Sequence, residues 1–370
     1  MQKNYKRLGD YIQQVDERNS KLEDLPLMGL SIQKKFIPSI ANTIGTNMST
    51  YKIIRKNQFA YGPVTSRNGD KITIALFKDY DKALISQAYI PFKIIDTTKL
   101  IPEYLMMWFR RPEFDRYTRF KSHGSAREIF SWEEMCDVWL PIPDITQQQA
   151  LVDEYQTIER RIQINEQLCQ KLEETAQALY RKYFVEDIDP ENLPEGWRWG
   201  KISEVAEIRA GGDKPSVFSE IRTDICSVPI FSNGLEKNGL YGYTDKAVIF
   251  EKSITISARG TIGFCCLRDE PFVPIVRLIV ITPFHEYYAS YLCEYLSKLD
   301  FEGSGSVQNQ LTIPYLDSQG IILPNEEILK IFEDKNSIIR SYCKSIELEN
   351  QQLKELLSLL LVKMGRKEEK

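Results

Sequence analysis

The chain contains two matching stretches, residues 158–179 (IERRIQINEQLCQKLEETAQAL) and residues 339–360 (IRSYCKSIELENQQLKELLSLL), which align without a gap when Ile158 is placed opposite Ile339. In both stretches mostly apolar residues recur with the spacing 4-3-4-3-4-3 and form a seam along one face of a helix, which is typical of helices that pack on other helices. Each helix could pack on its own domain instead. Two matched seams in one chain can also bury each other, which favours an antiparallel pair. The seams consist of Ile158, Ile162, Asn165, Cys169, Leu172, Ala176 and Leu179, and of Ile339, Cys343, Ile346, Asn350, Leu353, Leu357 and Leu360.

Each seam contains one asparagine. In the alignment Asn165 lies opposite Ile346 and Asn350 lies opposite Cys169, so the polar residue stands at a different level in each helix. A polar seam residue can fix the register of a helix pair at some cost in stability.

The repeat extends upstream of both helices. Phe120–Ser125 matches Phe301–Ser306, and Leu140–Pro143 matches Ile321–Pro324. The parts further upstream, here called the first and second heads, open with similar sequences at Tyr5 and Trp199 but otherwise share little. Alternating apolar residues predict strands at 72–77, 247–250 and 253–257, and helical patterns occur at 104–109 and 287–299.

We therefore predict an α+β fold. It consists of two mixed α/β domains separated by two long helices that form an antiparallel coiled coil, with a pseudo-twofold repeat.

Charge is distributed unevenly along the 370 residues, although the net charge is only −4. Residues 31–127 contain 17 Lys/Arg and 7 Asp/Glu, residues 144–196 contain 5 and 12, and residues 200–310 contain 11 and 14. The first head can therefore hold a phosphate backbone, whereas a second DNA-binding segment must work with little excess charge. Seven cysteines without C-x-x-C spacing, and no signal peptide or membrane-spanning run, favour a cytoplasmic chain without a metal site.

The motifs of nucleic-acid enzymes are absent from the sequence. It contains no Asn-Pro-Pro-Tyr or Asp-Pro-Pro-Tyr loop and no Walker lysine loop, and its only G-x-G is at Gly303 and Gly305. A binding protein without a catalytic residue is therefore favoured over an enzyme.

In the first head, the candidate DNA contacts lie in loops that combine glycine with cations, amides and aromatic rings. Arginine and glutamine can read guanine and adenine edges in the major groove, although an ordinary hairpin would show the same pattern. The candidates are Lys34, Lys35, Tyr61, Ser66, Arg67, Gln87, Tyr89, His123, Ser125 and Arg127.

In the second head, similar loops follow the predicted strands. Gly260 allows close backbone approach beside Arg259. The loop at 303–309 corresponds by the repeat to the loop at 123–127 of the first head. The candidates are Lys214, Asn233, Tyr241, Tyr243, Arg259, Thr261, Ser306, Gln308 and Asn309.

Several motifs resemble those of type I restriction-modification specificity subunits. They are LPEGWRW at 193–199, Gly-Gly-x-x-Pro at 211–215, VPIFSNG at 228–234, ISARGTIG at 256–263, and Pro143 followed by Gln147–Gln149. The resemblance implies a DNA-binding specificity subunit without catalysis that reads a bipartite target. It also implies docking to two methyltransferase subunits and to restriction/translocase subunits. S-adenosylmethionine, ATP and Mg²⁺ would be bound by those partners and not by this chain.

With the repeat, the resemblance predicts the domain organisation and leaves two alternatives. We expect target-recognition domain 1 at 1–143, a central helical spacer at 144–185, a linker at 186–196, target-recognition domain 2 at 197–324 and a C-terminal helical spacer at 325–370. The alternatives are a single-chain restriction-modification enzyme fragment, which should bind S-adenosylmethionine, and a coiled-coil scaffold, which should not bind duplex DNA.

Overall fold

The computed structural model describes residues 5–365 except 42–44, 67, 125–126, 300 and 302–309. The chain forms two compact units. The first unit consists of residues 1–165 and 348–370, and the second consists of residues 166–347. Each unit therefore contains one head and a part of each long helix.

Among its described residues the first head has ten short strands and three α-helices, and the first long helix follows it. In chain order they are β1 (Tyr5–Arg7), β2 (Ile12–Gln14), β3 (Leu27–Leu30), β4 (Phe36–Pro38), β5 (Lys52–Arg55), β6 (Phe59–Tyr61), β7 (Ile74–Leu76), β8 (Lys82–Ile85), β9 (Ile90–Ile94), α1 (Pro102–Phe109), α2 (Pro112–Lys121), α3 (Trp132–Cys136), β10 (Trp139–Pro141) and α4 (Ile145–Phe184).

Three sheets organise the first head, with strand orders β2-β9-β6-β7, β4-β3-β8-β5 and β1-β10. Its core is aromatic. Phe59 stacks on Phe92 with ring centroids 5.0 Å apart, and Phe109 of α1 meets Phe59 edge-on at 5.8 Å. Large buried rings supply much of the apolar area that holds short strands together.

In the second unit, the part of the chain that the structure describes forms nine strands and two short α-helices, followed by the second long helix. They are β11 (Arg198–Gly200), β12 (Ala206–Ala210), β13 (Val228–Phe231), β14 (Leu240–Thr244), β15 (Ser253–Ile256), β16 (Cys265–Arg268), β17 (Val273–Pro274), β18 (Ile279–Pro283), α5 (Ala289–Leu296), α6 (Ile313–Ser318), β19 (Ile321–Leu323) and α7 (Glu326–Lys363).

The second head repeats the strand plan of the first, except that β5 has no counterpart among its described strands. Its sheets have the orders β12-β18-β15-β16, β14-β13-β17 and β11-β19. In both heads the opening strand pairs antiparallel with the strand just before the long helix, as Tyr5↔Pro141 and as Arg198↔Leu323. The β13–β17 pair is parallel, as is β3–β8. The pseudo-repeat predicted from the sequence is thus confirmed in the topology.

Matched polar residues start the helices of the two copies. Ser131 and Thr312, which are equivalent in the repeat, accept a hydrogen bond from the backbone N–H of Glu134 in α3 and of Tyr315 in α6. Asp144 and Asn325, a second equivalent pair, accept bonds from backbone N–H groups in the first turns of α4 and α7. Side-chain oxygens at these positions satisfy N–H groups that have no partner within the helix.

The long helices run antiparallel in both units, as predicted. In the first unit Ile158 and Ile162 of α4 pack with Leu360 of α7. In the second unit the phenolic oxygen of Tyr183 accepts a hydrogen bond of 2.6 Å from Lys335 Nζ. Within the first unit, Ile158 lies near Leu360 and Asn165 near Asn350. Within the second unit, Cys169 lies near Cys343 and Tyr183 near Lys335. In each unit residue numbers rise along α4 while those of its contacts fall along α7, which is the antiparallel order.

The antiparallel pairing brings the two seam asparagines together. Asn165 Nδ2 donates to Asn350 Oδ1 over 2.8 Å, and both side chains are buried. The alignment of the repeat placed them at different levels because it compares the helices in parallel.

One predicted strand is wrong. Of residues 247–250, only Ile249 forms a bridge, to Phe272. The other predicted strands and helices overlap β7, β15, α1 and α5. No helix among the described residues is long and apolar enough to cross a membrane.

Candidate nucleic-acid interface

In the first head the structure brings three of the predicted loops side by side. Thr65, next to Ser66, donates its backbone N–H to Glu128 O over 3.0 Å, and its hydroxyl donates to Ser122 Oγ over 2.9 Å. These bonds join the hairpin after β6 to the segment that contains His123 and Arg127. The ring of Tyr89 lies against Gly62, where a Cβ atom would stand 3.6 Å away, so the turn with Gln87 belongs to the same cluster.

The exposed members of this cluster can reach a ligand outside the protein. Ser66, Gln87, His123 and Arg127 are exposed, and Tyr89 is half-buried. Arg67 and Ser125 lie outside the described residues. The geometry therefore offers hydroxyl, amide, imidazole and guanidinium groups on one surface, which suits contacts to phosphates and base edges.

Lys34 was predicted as a DNA contact, but the structure places it inside the first head. Its side chain is 6% exposed and its ammonium lies 2.8 Å from Asp115 Oδ1. Burial lowers the pKa of Lys34, and the pairing with Asp115 opposes that shift. Lys34 is therefore a buried ion-pair residue, because a Lys-Lys pair in the sequence does not reveal which ammonium faces the solvent.

Tyr61 is also placed away from the surface. It is fully buried among Phe92 and Phe130. Its hydroxyl has no hydrogen-bond partner among the described residues. Burial raises the pKa of Tyr61. The side chain is part of the hydrophobic core, so the prediction that Tyr61 contacts DNA is wrong.

Lys35 is exposed at the edge of a different feature. It lines a cavity of about 410 Å³ in the first unit, together with Met106, Arg110, Tyr155 and Glu159. The structure thus separates Lys35 from the loop cluster around Thr65.

In the second head one side chain joins several predicted loops. Asn233 donates from Nδ2 to Val276 O over 2.8 Å, and its Oδ1 accepts from the backbone N–H of Ala258 over 2.8 Å. Gly211 and Gly212 close the cluster from the other side, since Val276 N donates to Gly212 O over 2.9 Å. Asn233 therefore acts as a structural hub, because both ends of its amide are occupied by backbone groups.

Lys214 and Tyr241 form an exposed aromatic-cation group. The Lys214 ammonium lies 3.3 Å from the ring centroid of Phe218 and 5.1 Å from that of Tyr241. Such contacts contribute about 0.5–1 kcal/mol at exposed sites and hold the ammonium in place. Tyr243 is half-buried, and its backbone pairs with Ser219.

The loop after β15 presents Arg259 at the surface. Its guanidinium donates to Gln310 Oε1 over 2.7 Å, and Gly260 has a φ of +70°. The hydroxyl of Thr261 is buried and has no partner within the described part of the chain. Ser306, Gln308 and Asn309 lie outside the described residues, so their predicted role stays a prediction.

Two arginines at this site were missed by the sequence reasoning. Arg268 lies 3.6 Å from the ring centroid of Phe231 and donates to Asn238 O over 2.6 Å. It holds the loop in which Lys237 and Asn238 have positive φ angles. Burial lowers the pKa of Arg268. Arg277, beside Val276, is exposed; it lies in the apolar run FVPIVRLIV, where no turn residue marks its position.

The described residues contain no group of three or more His, Cys, Asp or Glu side chains that could hold a metal ion. The loops of both heads offer hydrogen-bonding groups and cations on a rigid strand scaffold. This arrangement can bind a polyanion.

Comparisons with known proteins identify relatives of the chain. The family model of the type I restriction modification DNA specificity domain matches residues 194–358. A Mycoplasma pneumoniae protein named as a putative type I specificity subunit is 32% identical over 188 residues, which cover 48% of this chain and 54% of that protein. The chain thus spans about half the length of this relative. The Haemophilus influenzae type I restriction enzyme HindI specificity subunit is 21% identical, with 85% and 86% of the two chains covered.

A solved structure shares the fold. The crystal structure of the S subunit of a type I restriction-modification system from M. genitalium matches with a TM-score of 0.64 and 12% identity, covering 99% of this chain and 96% of that chain. This match shows the shared fold, while the family model and the sequence relatives bear out the resemblance to type I specificity subunits that the motifs predicted.

Proposed function

We propose that this chain, whose residues 194–358 match the type I restriction-modification specificity family, is the DNA-reading subunit of such a system. Each head would read one short half-site of a bipartite duplex target.

The observation that carries this proposal is that two heads with corresponding sheets, apart from the additional edge strand β5 in the first head, present different side chains. The first head offers Gln87, His123 and Arg127, whereas the second offers Lys214 and Arg259. A shared scaffold with different loop chemistry suits a protein that recognises two unrelated sequences, because base-edge contacts depend on the loops and not on the strands.

The chain itself would carry no catalytic residue. Methyltransferase subunits, one for each half, would supply adenine methylation with S-adenosylmethionine. Restriction subunits would supply ATP-dependent translocation and Mg²⁺-dependent cleavage. This division agrees with the lack of methyltransferase and nucleotide-binding motifs in the sequence.

The proposal is tested by mapping methylated adenines across the genome of the cells that express the chain, with and without its gene. We expect one bipartite motif, with two short half-sites and an unread spacer of fixed length, to lose methylation upon deletion and to regain it upon complementation. An unchanged methylation map would overturn the proposal. A purified chain that methylates or cuts DNA alone would point to a single-chain enzyme.

A further inference from the structure

The connection between β17 and β18 is a tight turn with unusual residues. Leu278 N donates to Ile275 O over 3.1 Å, which closes a four-residue turn. The two central residues have positive φ angles, 55° at Val276 and 57° at Arg277. Two successive positive φ angles are the signature of a type I′ turn, for which Asn-Gly is the favoured pair.

Neither central residue suits this backbone. A side chain at positive φ brings Cβ close to the following carbonyl oxygen, and the clash is worst for a β-branched residue such as Val276. Packing in the core does not compensate, because Val276 is 51% exposed and Arg277 is exposed as well. Strain of this kind, held by the surrounding structure, is often associated with a functional site.

The turn is anchored from two sides. Val276 N and Arg277 N donate to Gly212 O and Gly211 O over 2.9 and 3.2 Å. The carbonyl oxygen of Val276 accepts a hydrogen bond from the amide of Asn233. The glycine is required at 211, because a Cβ there would stand 2.8 Å from the Pro274 backbone. The surroundings thus fix the backbone from which both exposed side chains extend.

The guanidinium of Arg277 has no hydrogen-bond or ion-pair partner among the described residues. By contrast, Arg259 is bonded to Gln310 and Arg268 to Thr255 and Asn238. The guanidinium group of Arg277 is therefore available to a ligand. Arg277 lies in the same cluster of loops as Asn233.

From this geometry we propose that the Val276–Arg277 turn is a base-reading element of the second head, in which Arg277 contacts the O6 and N7 atoms of a guanine in the major groove. The inference rests on the proposed function. A bidentate contact requires the arginine to start from a fixed backbone position beside the base edge, which a rigid turn supplies, and the planar fork of arginine then matches the two guanine acceptors. Phosphate binding does not need such a turn, since a flexible cation on an ordinary loop can achieve it.

The exposed methyl groups of Val276 support this assignment. An apolar side chain beside a reading arginine can contact the methyl group of a neighbouring thymine. It also agrees with the net negative charge of residues 200–310, since a head with little excess charge must rely more on specific contacts than on phosphate attraction.

The test compares Arg277→Ala and Arg277→Lys with a charge-matched control, Arg198→Ala. Arg198 is an exposed arginine in β11, the opening strand of the same head, and it forms an ion pair with Glu204. Each full-length variant replaces the wild-type gene, and methylated adenines are mapped. The purified chains are also melted to show that they fold.

We expect both Arg277 variants to lose preference at a single base pair of one half-site, by about one to two orders of magnitude. The other half-site should stay unchanged, and the control should keep the whole target. Lysine should fail because it lacks the planar fork.

Three results would count against the inference. If both Arg277 variants retain the wild-type target, the turn does not read a base. If Arg277→Lys retains it and Arg277→Ala lowers methylation equally at all sites, Arg277 contacts phosphate. If deletion of the wild-type gene leaves the methylation map unchanged, the proposed function itself fails, and the two failures are thereby distinguished.

A second variant tests whether Val276 stabilises the fold or is kept in the strained turn for recognition. Val276→Gly removes the side chain that suits the positive φ least. We expect it to melt at or above the temperature of the wild-type chain, to keep the guanine preference of Arg277 and to lose any preference for a thymine at the neighbouring base pair. A large fall in the melting temperature would show that Val276 serves packing and would overturn the assignment of the turn to recognition.

Discussion

The two heads are joined to their long helices by ion pairs of opposite polarity. In the first unit Arg110, at the end of α1, donates to Glu159 of α4 over 2.6 Å. The position of α7 that is equivalent to Glu159 in the repeat carries Arg340. Its guanidinium lies 4.0 Å from Asp269 of the second head and also donates to Ser290 there. Each helix therefore carries the charge that its own head requires.

This difference shows how a repeat protein distinguishes its two halves. The heptad seams are alike, so apolar packing alone would allow the first head to settle on either helix. Moving the first head to α7 would place Arg110 against Arg340. Like charges at a contact penalise the wrong pairing.

The largest effect is expected for Arg340→Glu, which removes the ion pair between α7 and Asp269 of the second head. Arg340 also donates to Glu333 over 2.7 Å, and the Glu333 side chain is 10% exposed. The substitution places a second carboxylate there, and loss of a partner from a buried ion pair costs about 3–5 kcal/mol. Hydrogen exchange followed by mass spectrometry should show α5 and the first half of α7 exchanging faster, while β6 and β9 in the first head exchange as in the wild type. Normal protection of α5 would contradict the assigned network.

The next effect concerns the register of the helices in the first unit. Asn165→Leu leaves the buried amide of Asn350 without its partner, which should lower stability by about 1–3 kcal/mol. The double variant Asn165→Leu/Asn350→Leu should recover that stability but allow more than one register. Thermal melting measures the first change. Cysteine cross-links between α4 and α7 report the helix register. A single cross-linked register in the double variant would contradict the role of the asparagine pair in fixing the register.

A smaller effect is expected for the charge reversal in the first unit. Glu159→Arg places a cation beside Arg110, but the Glu159 side chain is 34% exposed. Solvent screening should limit the loss to about 1 kcal/mol. Adding Arg110→Glu should restore the pair and the melting temperature. If the double variant is no more stable than Glu159→Arg alone, the contact does not hold head and helix together.

The smallest effect is a dependence on pH in the second unit. Burial disfavours the charged form of Glu333, but Arg340, Ser290 and Lys252 outweigh it and hold the pKa below the ordinary value of 4.5. A depressed pKa contributes stability that is complete above the unfolded value and is lost as the pH falls through the folded value. The wild-type chain should therefore lose stability below about pH 4.5 more steeply than Glu333→Gln.

The control for the pH experiment is Glu327→Gln, which changes an exposed carboxylate on the same helix. Its melting temperature should follow that of the wild-type chain over roughly pH 3–6. If the melting temperatures of Glu333→Gln and of the wild type fall equally with decreasing pH, the ionised form of Glu333 does not stabilise the protein.

The sequence by itself determined the repeat, the two long helices and their seams, because helical periodicity and N-cap chemistry are local properties. Ser131, Thr312, Asp144 and Asn325 can be recognised as matched positions from the repeat alone. The sequence also located most of the loops that cluster in each head, since glycine, polar residues and cations mark turns after strands.

Only the tertiary structure decided which of those residues face outward and which meet. Lys34 is buried against Asp115 of α2 and Tyr61 against the rings of Phe92 and Phe130, all distant in sequence. Asn165 meets Asn350 because the helices are antiparallel. The Val276–Arg277 turn was hidden, since its residues favour a strand. Hydrogen bonds to the carbonyl oxygens of Gly211 and Gly212, and one from the amide of Asn233, hold it at positive φ. Local periodicity predicts elements, but burial, partners and strain arise from contacts between residues far apart in the chain.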